Sequence, residues 1–145
     1  MAKRDELNQS PKLRLARLLF AGPLTIVVSV AAVLLIRLAA LAILHPPATF
    51  LPLESGPPIM DTVFGAGGAV FFFWRIAKYD LRPIHTYFKV ATVVLFVTFI
   101  PDVALAMGHG FGGGWPEAIA LMSMHVAVWA ICVTLLPGLV VAKAH

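Results

Sequence analysis

The chain has 145 residues, 60% of them hydrophobic and only 12% charged, with a formal net charge of +4. Its mean hydropathy of +0.91 leaves too little polar surface for a water-soluble domain of this size, and no room for a soluble catalytic module beside the membrane part. The positive balance comes from Lys and Arg flanking apolar runs, which reads as topology and contact with anionic lipid rather than nucleic-acid binding. One cysteine, Cys132, excludes a disulfide framework and a metal-thiolate cluster.

The expected fold is all-α: an integral membrane antiparallel four-helix bundle with spans at about 18–44, 59–77, 87–107 and 116–141. A hydrocarbon core of ~30 Å needs about 20 helical residues. Residues 18–141 then form one membrane domain, between a cytoplasmic tail and helix start at 1–17 and a short tail at 142–145. Basic residues fall before the first span (Lys3, Arg4, Lys12, Arg14, Arg17), between the second and third (Arg75, Lys78, Arg82, Lys89) and after the fourth (Lys143). The connections 45–58 and 108–115 have no Lys or Arg. By the positive-inside rule both termini are cytoplasmic.

Ser10-Pro11 has the form of an N-cap followed by proline at the first helical position. The first apolar run is about 27 residues, against roughly 7–15 for a signal-peptide h-region, so it reads as a retained anchor that stops at His45-Pro46-Pro47. Loop 45–58 holds five prolines and is expected to be extended and stiff. Helix 2 then begins with Asp61 in its first turn and carries Gly65, Gly68 and Ala69. Such a small-residue face admits a second helix, or a flat cofactor, close to the backbone; helix packing is the commoner meaning and the one adopted.

Phe71, Phe72, Phe73 and Trp74, with Tyr79, Tyr87 and Phe88, are expected to form an aromatic belt at the inner interface. The short connection 78–86 makes helices 2 and 3 neighbours. Pro101 frees the carbonyl of Val97 and should kink helix 3. Residues 108–114 are glycine-rich and read as mobile, and helix 4 restarts at Trp115-Pro116-Glu117.

One Lys or Arg lies deep inside a span, away from the inner ends where the others cluster. Arg37 is about 28 Å past Leu18, Asp102 about 22 Å past Tyr87, and His125 about 13 Å below Pro116, at ~1.5 Å per residue. These depths place Arg37, Asp102 and His125 in one outer layer, with Thr98 one turn from Asp102. A charge in hydrocarbon costs about 2.5–3.5 kcal/mol or more, so unless Arg37 snorkels outward it should pair with Asp102 inside the bundle. Ala91, Leu95, Thr98 and Asp102 share a face of helix 3. Ala118, Met122, His125, Trp129, Cys132 and Leu136 form an a/d stripe on helix 4. The layer is either a proton-handling or ligand site or a polar clamp that fixes helix register, and both readings stay open. Asp61 and Glu117, at the outer rim with His109, have a simpler explanation as acids at helix N-termini.

A bis-histidine haem needs two histidines at one depth on facing helices, and only His125 is inside a span; His85 lies at the inner surface, His45 and His109 outside. No ligand spacing supports a metal. No cofactor is therefore assigned, and a quinone, chlorin or haem could be contacted only through His125, with Trp129 beside it. There is no phosphate loop or nucleophile elbow, so no enzyme is expected.

The Pro101-Asp102 step, the Met124-His125-Val126 step and the four-span layout together resemble an uncharacterised family of small bacterial four-helix transmembrane proteins. The resemblance covers most of the chain and implies no known activity. The leading expectation is a non-catalytic accessory subunit of a larger membrane complex, respiratory or photosynthetic, in a bacterial cytoplasmic (inner) membrane. Its partners would be the lipid bilayer and other integral membrane proteins, with no nucleic acid. The alternatives are a small proton-coupled transporter or channel-like protein using the Arg/Asp/His layer, and a quinone- or pigment-binding membrane protein.

Overall fold

The computed structural model describes residues 17–108 and 112–140. Ser10-Pro11, both tails beyond these limits and His109 lie outside the described residues. Four long helices make up nearly all of the rest: α1 Leu18–Leu44, α2 Gly56–Tyr79, α3 Pro83–Met107 and α4 Trp115–Val140. Each is long and apolar enough to cross a membrane. Among the described residues there is no strand.

Local chemistry sets the helix ends. α1 stops because His45 turns into the left-handed region (φ 48°) just before two prolines that cannot donate. α2 starts at Gly56, with Pro57 and Pro58 where no intrahelical N–H is needed. Asp61 is therefore the sixth residue of α2 and lies beyond its first turn, which removes the N-terminal explanation offered for it. Glu117 keeps that explanation, since its Oε2 accepts the backbone N–H of Gly114 at 2.8 Å, one half of a capping box.

The α2–α3 connection turns on Asp80, whose Oδ1 accepts the Arg82 backbone N–H at 2.7 Å. That bond holds the Asp80 carboxyl below its ordinary pKa. Arg75 stacks on Tyr79, 4.1 Å from the ring centroid, at the same end of the bundle.

Loop 45–58 is folded rather than extended. Phe50 N–H bonds the Pro47 carbonyl, a 3₁₀ turn follows at Leu51–Leu53, and Phe50 and Leu53 are buried with Val33 and Met124. The described end of the glycine-rich segment is packed as well. Gly113 sits so close to the Phe50 ring that a Cβ there would fall 2.1 Å from Cε2. This contact, not mobility, is what glycine serves at 113.

A second core cluster lies toward the α2–α3 connection and contains Leu18, Ala21, Ala66, Phe73, Tyr87, Cys132, Leu136 and Val140. Phe73 and Tyr87 meet edge to face, their centroids 4.9 Å apart, and are buried. They belong to the core and not to the expected belt, whereas Phe71, Phe72, Trp74, Tyr79 and Phe88 are exposed. Many large apolar side chains, Phe20, Leu35, Phe96 and Ile100 among them, also point outward. An exterior of that kind suits hydrocarbon rather than water.

α1 packs most extensively on α4, α4 on α3 and α1 on α2, while α2 and α3 touch least of these consecutive pairs. The short connection thus joins two helices that splay apart above it. The close approach of α1 to α2 uses Ala21, Gly22 and Ala66, with a Cβ on Gly22 falling 3.0 Å from Val70. Small residues do mediate helix packing here: Ala69 of the expected face packs on this cluster with Ala66, while Gly65 and Gly68 do not.

Candidate functional site

The splay of α2 from α3 opens a cavity of about 690 Å³, walled by α2, α3 and α4, with Val33 of α1 and Pro52 of the folded loop contributing. Its size is typical of a small-molecule site. On α2 the lining residues Asp61, Gly65, Gly68 and Phe72 recur at four-three-four spacing, a single helix face. A Cβ on Gly65 or Gly68 would meet nothing within 4 Å. Gly65 and Gly68 therefore do not pack a helix of this chain, and with Ala69 they give the cavity a smooth wall. The mouth carries exposed Phe64, Phe72 and Val94, so the cavity opens sideways between α2 and α3 and faces the same surroundings as the apolar exterior.

The α3 face read from the sequence, Ala91, Leu95, Thr98 and Asp102, lines the opposite wall. Asp102 is 6% exposed. Its Oδ2 lies 3.4 Å from His125 Nε2, within electrostatic reach but not aligned as a hydrogen bond, and that oxygen has no hydrogen-bond partner. On α4, His125, Trp129 and Cys132 of the expected stripe line the cavity. Ala118 and Leu136 are buried and Met122 only half-buried, whereas Met124, off the expected stripe, is buried.

Two expected contacts within this layer are not formed. Arg37 does not pair with Asp102: its Nε donates to the Leu53 carbonyl at 2.8 Å. Arg37 stands seven residues before the end of α1, so a long side chain directed upward meets the 3₁₀ turn before it can cross to α3. Thr98 Oγ1 donates to the Leu95 carbonyl at 2.7 Å and leaves Asp102 alone, because a threonine in a helix satisfies its proton on the preceding turn. The structure therefore places Asp102 beside His125, with Asp61 on another wall of the same cavity, and leaves out Arg37.

Tyr87 is the residue that sequence reading misplaced. It lines the end of the cavity toward the α2–α3 connection, is 1% exposed, and its hydroxyl has no partner. The indole N–H of Trp129, also on the lining, is buried and unpartnered as well. The signal was present, since Tyr87 extends the Ala91–Leu95–Thr98–Asp102 face by one turn.

His125 has a carboxylate as its nearest polar neighbour, with its Nε2 3.4 Å from Asp102 Oδ2. Among the described residues no group of three or more His, Cys, Asp and Glu converges on a point. Comparison with protein families, with curated proteins and with solved structures returned no match to this chain.

Proposed function

We propose that the protein is a non-catalytic membrane protein that holds a small amphipathic molecule, drawn sideways from the bilayer, in the cavity between α2, α3 and α4. This is the ligand-binding member of the three expectations, with quinones and other polar-headed hydrophobic molecules as its class. One observation carries it: Tyr87 Oη, Trp129 Nε1 and Asp102 Oδ2 are buried without hydrogen-bond partners, and all three residues line the same cavity. These three atoms lie beneath the cavity surface; a buried polar group left unpaired costs about 1–3 kcal/mol, and a ligand recovers part of that where the side chain turns toward it. The cavity and the polar side chains in its lining favour this reading over an accessory subunit.

The frame that goes with it is an antiparallel bundle in a bacterial cytoplasmic membrane, N-in and C-in, with the acidic end of the cavity toward the outside. The supporting observation is the charge asymmetry of the loops. Cysteines at Ser55 and Leu81, both exposed, test the orientation; buried Cys132 gives little background. An impermeant maleimide applied to intact cells is expected to label Ser55→Cys and spare Leu81→Cys. The reverse pattern would invert the frame.

Gly68→Leu tests the binding reading. Nothing obstructs a side chain there, and replacing glycine in a helix interior gains up to about 1 kcal/mol in propensity, so the variant should fold at least as well as the wild type. It projects into the middle of the cavity wall, however, and hydrophobic small molecules that co-purify with the wild type in mild detergent should be reduced, as read by mass spectrometry of extracts. Equal retention by both would refute the cavity as their site. Loss of a larger protein complex, with small molecules unchanged, would favour the subunit reading instead.

A further inference from the structure

We infer that the ligand's head is a base or cation, so that the cavity selects lipophilic cations over neutral and anionic molecules of the same shape; this rests on the binding reading above. The charge of the lining carries the inference. Asp61 on α2 and Asp102 on α3 both face the cavity, His125 is the one basic side chain there, and no Lys or Arg contributes. Arg37, the cation expected to neutralise this layer, is turned away and bound to the Leu53 carbonyl. Asp102 is buried in the wall of this cavity; its Oδ2 is turned toward His125 and has no hydrogen-bond partner, so the carboxylate is left without a full set of donors from the protein.

The remaining wall suits a cation that also carries apolar bulk. Phe72, Tyr87 and Trp129 line the path below the acids, and aromatic faces attract cations most strongly where water is excluded. A carboxylate in a low-dielectric cavity discriminates charge sign more sharply than one in water. An anion would meet two carboxylates, and a neutral molecule without a hydrogen-bond donor would leave Asp102 as it stands. Tyr87 is fifteen residues from Asp102, about 22 Å along the helix. A compact ligand held by its head at Asp102 therefore need not reach the Tyr87 hydroxyl, and head selection belongs to the acidic end.

Tetraphenylphosphonium and tetraphenylborate have the same shape and opposite charge, and a decyl-substituted benzoquinone supplies a neutral head that only accepts hydrogen bonds. Binding to the full chain in a non-ionic detergent is read from Trp129 fluorescence in a Trp74→Phe, Trp115→Phe background, with Gly68→Leu as the baseline for partition into micelles. The phosphonium is expected to quench Trp129 above that baseline and to bind at least tenfold more tightly than the borate. Asp102→Asn, a near-isosteric change, should remove that preference, and Asp61→Asn at the exposed rim should reduce it without affecting the fold. Borate binding equal to or tighter than phosphonium binding would overturn the inference. Quinone binding above baseline without phosphonium binding would overturn it while leaving the binding reading intact. No binding by any of the three would count against both.

Discussion

Gly113→Ala is expected to destabilise the protein by about 1–3 kcal/mol, the range for forcing one extra carbon into a filled core. The new Cβ would stand 2.1 and 2.5 Å from two ring carbons of Phe50, far inside the ~3.5–4.0 Å optimum for carbon contacts. The ring has no easy escape, because Phe50 is 3% exposed and packed with Val33, Leu53 and Met124. The damage should therefore spread to loop 45–58, read as faster proteolysis there and a lower unfolding temperature in detergent. Phe50→Leu alone opens a void and should also destabilise. Combined with Gly113→Ala it should recover much of the loss, a coupling that a double-mutant cycle measures directly. Gly65→Ala supplies the opposite sign: its Cβ meets nothing, and removing a mid-helix glycine should stabilise by roughly 0.8–1 kcal/mol. Equal effects at the two glycines would show that Phe50 does not rest on Gly113.

The elements of this fold were legible where one physical rule dominates. Unbroken apolar runs give the spans, and His45-Pro46-Pro47 ends α1 where donors run out. Glu117 caps α4 for the reason its position suggests. Helix faces were legible in part: the stripe through Thr98 and Asp102 and that through His125, Trp129 and Cys132 both line the cavity. What could not be read was which face meets which. On α2, Ala66 and Gly65 differ by one position, or about 100° of helix rotation, and that decides between packing on α1 and lining a cavity. No periodicity separates them, because both faces are small and apolar. Asp61 was misread through a smaller error, a helix start three residues too late, which put it in a first turn that ends before it. The partner of Arg37 was hidden for another reason. Depth counting locates a Cα, but an arginine side chain is long enough to reach a neighbouring loop whose folded shape is set by contacts distant in sequence. The inward turn of Tyr87 was masked by its aromatic neighbours, whose composition suggests an interface.

Arg37→Met and Asp102→Leu are expected to act independently, which separates the observed arrangement from a buried clamp. Arg37 holds the Leu53 carbonyl through Nε at 2.8 Å, and hydrogen bonds to charged groups contribute about 1.5–3 kcal/mol. Arg37→Met should lose that amount and loosen the 3₁₀ turn at Leu51–Leu53. Asp102→Leu removes a buried carboxylate that has one imidazole near it and no aligned donor for its Oδ2. Replacing a poorly satisfied buried ionic group by an apolar one is often neutral or stabilising, so this variant should unfold no more readily than the wild type while losing whatever ligand Asp102 engages. Sites that share no contact add to within ~0.3–0.5 kcal/mol, so the double variant should match the sum of the singles. An ion-pair clamp behaves otherwise: each single change strands a charge at about 3–5 kcal/mol, and the double change restores much of the loss. Reversible unfolding of all four proteins in one detergent closes the cycle. A coupling of several kcal/mol would restore the Arg37–Asp102 pair and return the cation bound at Leu53 to the cavity. A coupling near zero leaves the carboxylates of the cavity without Arg37 and with His125 as the one basic side chain beside them, which is the condition the selection of a cationic ligand depends on.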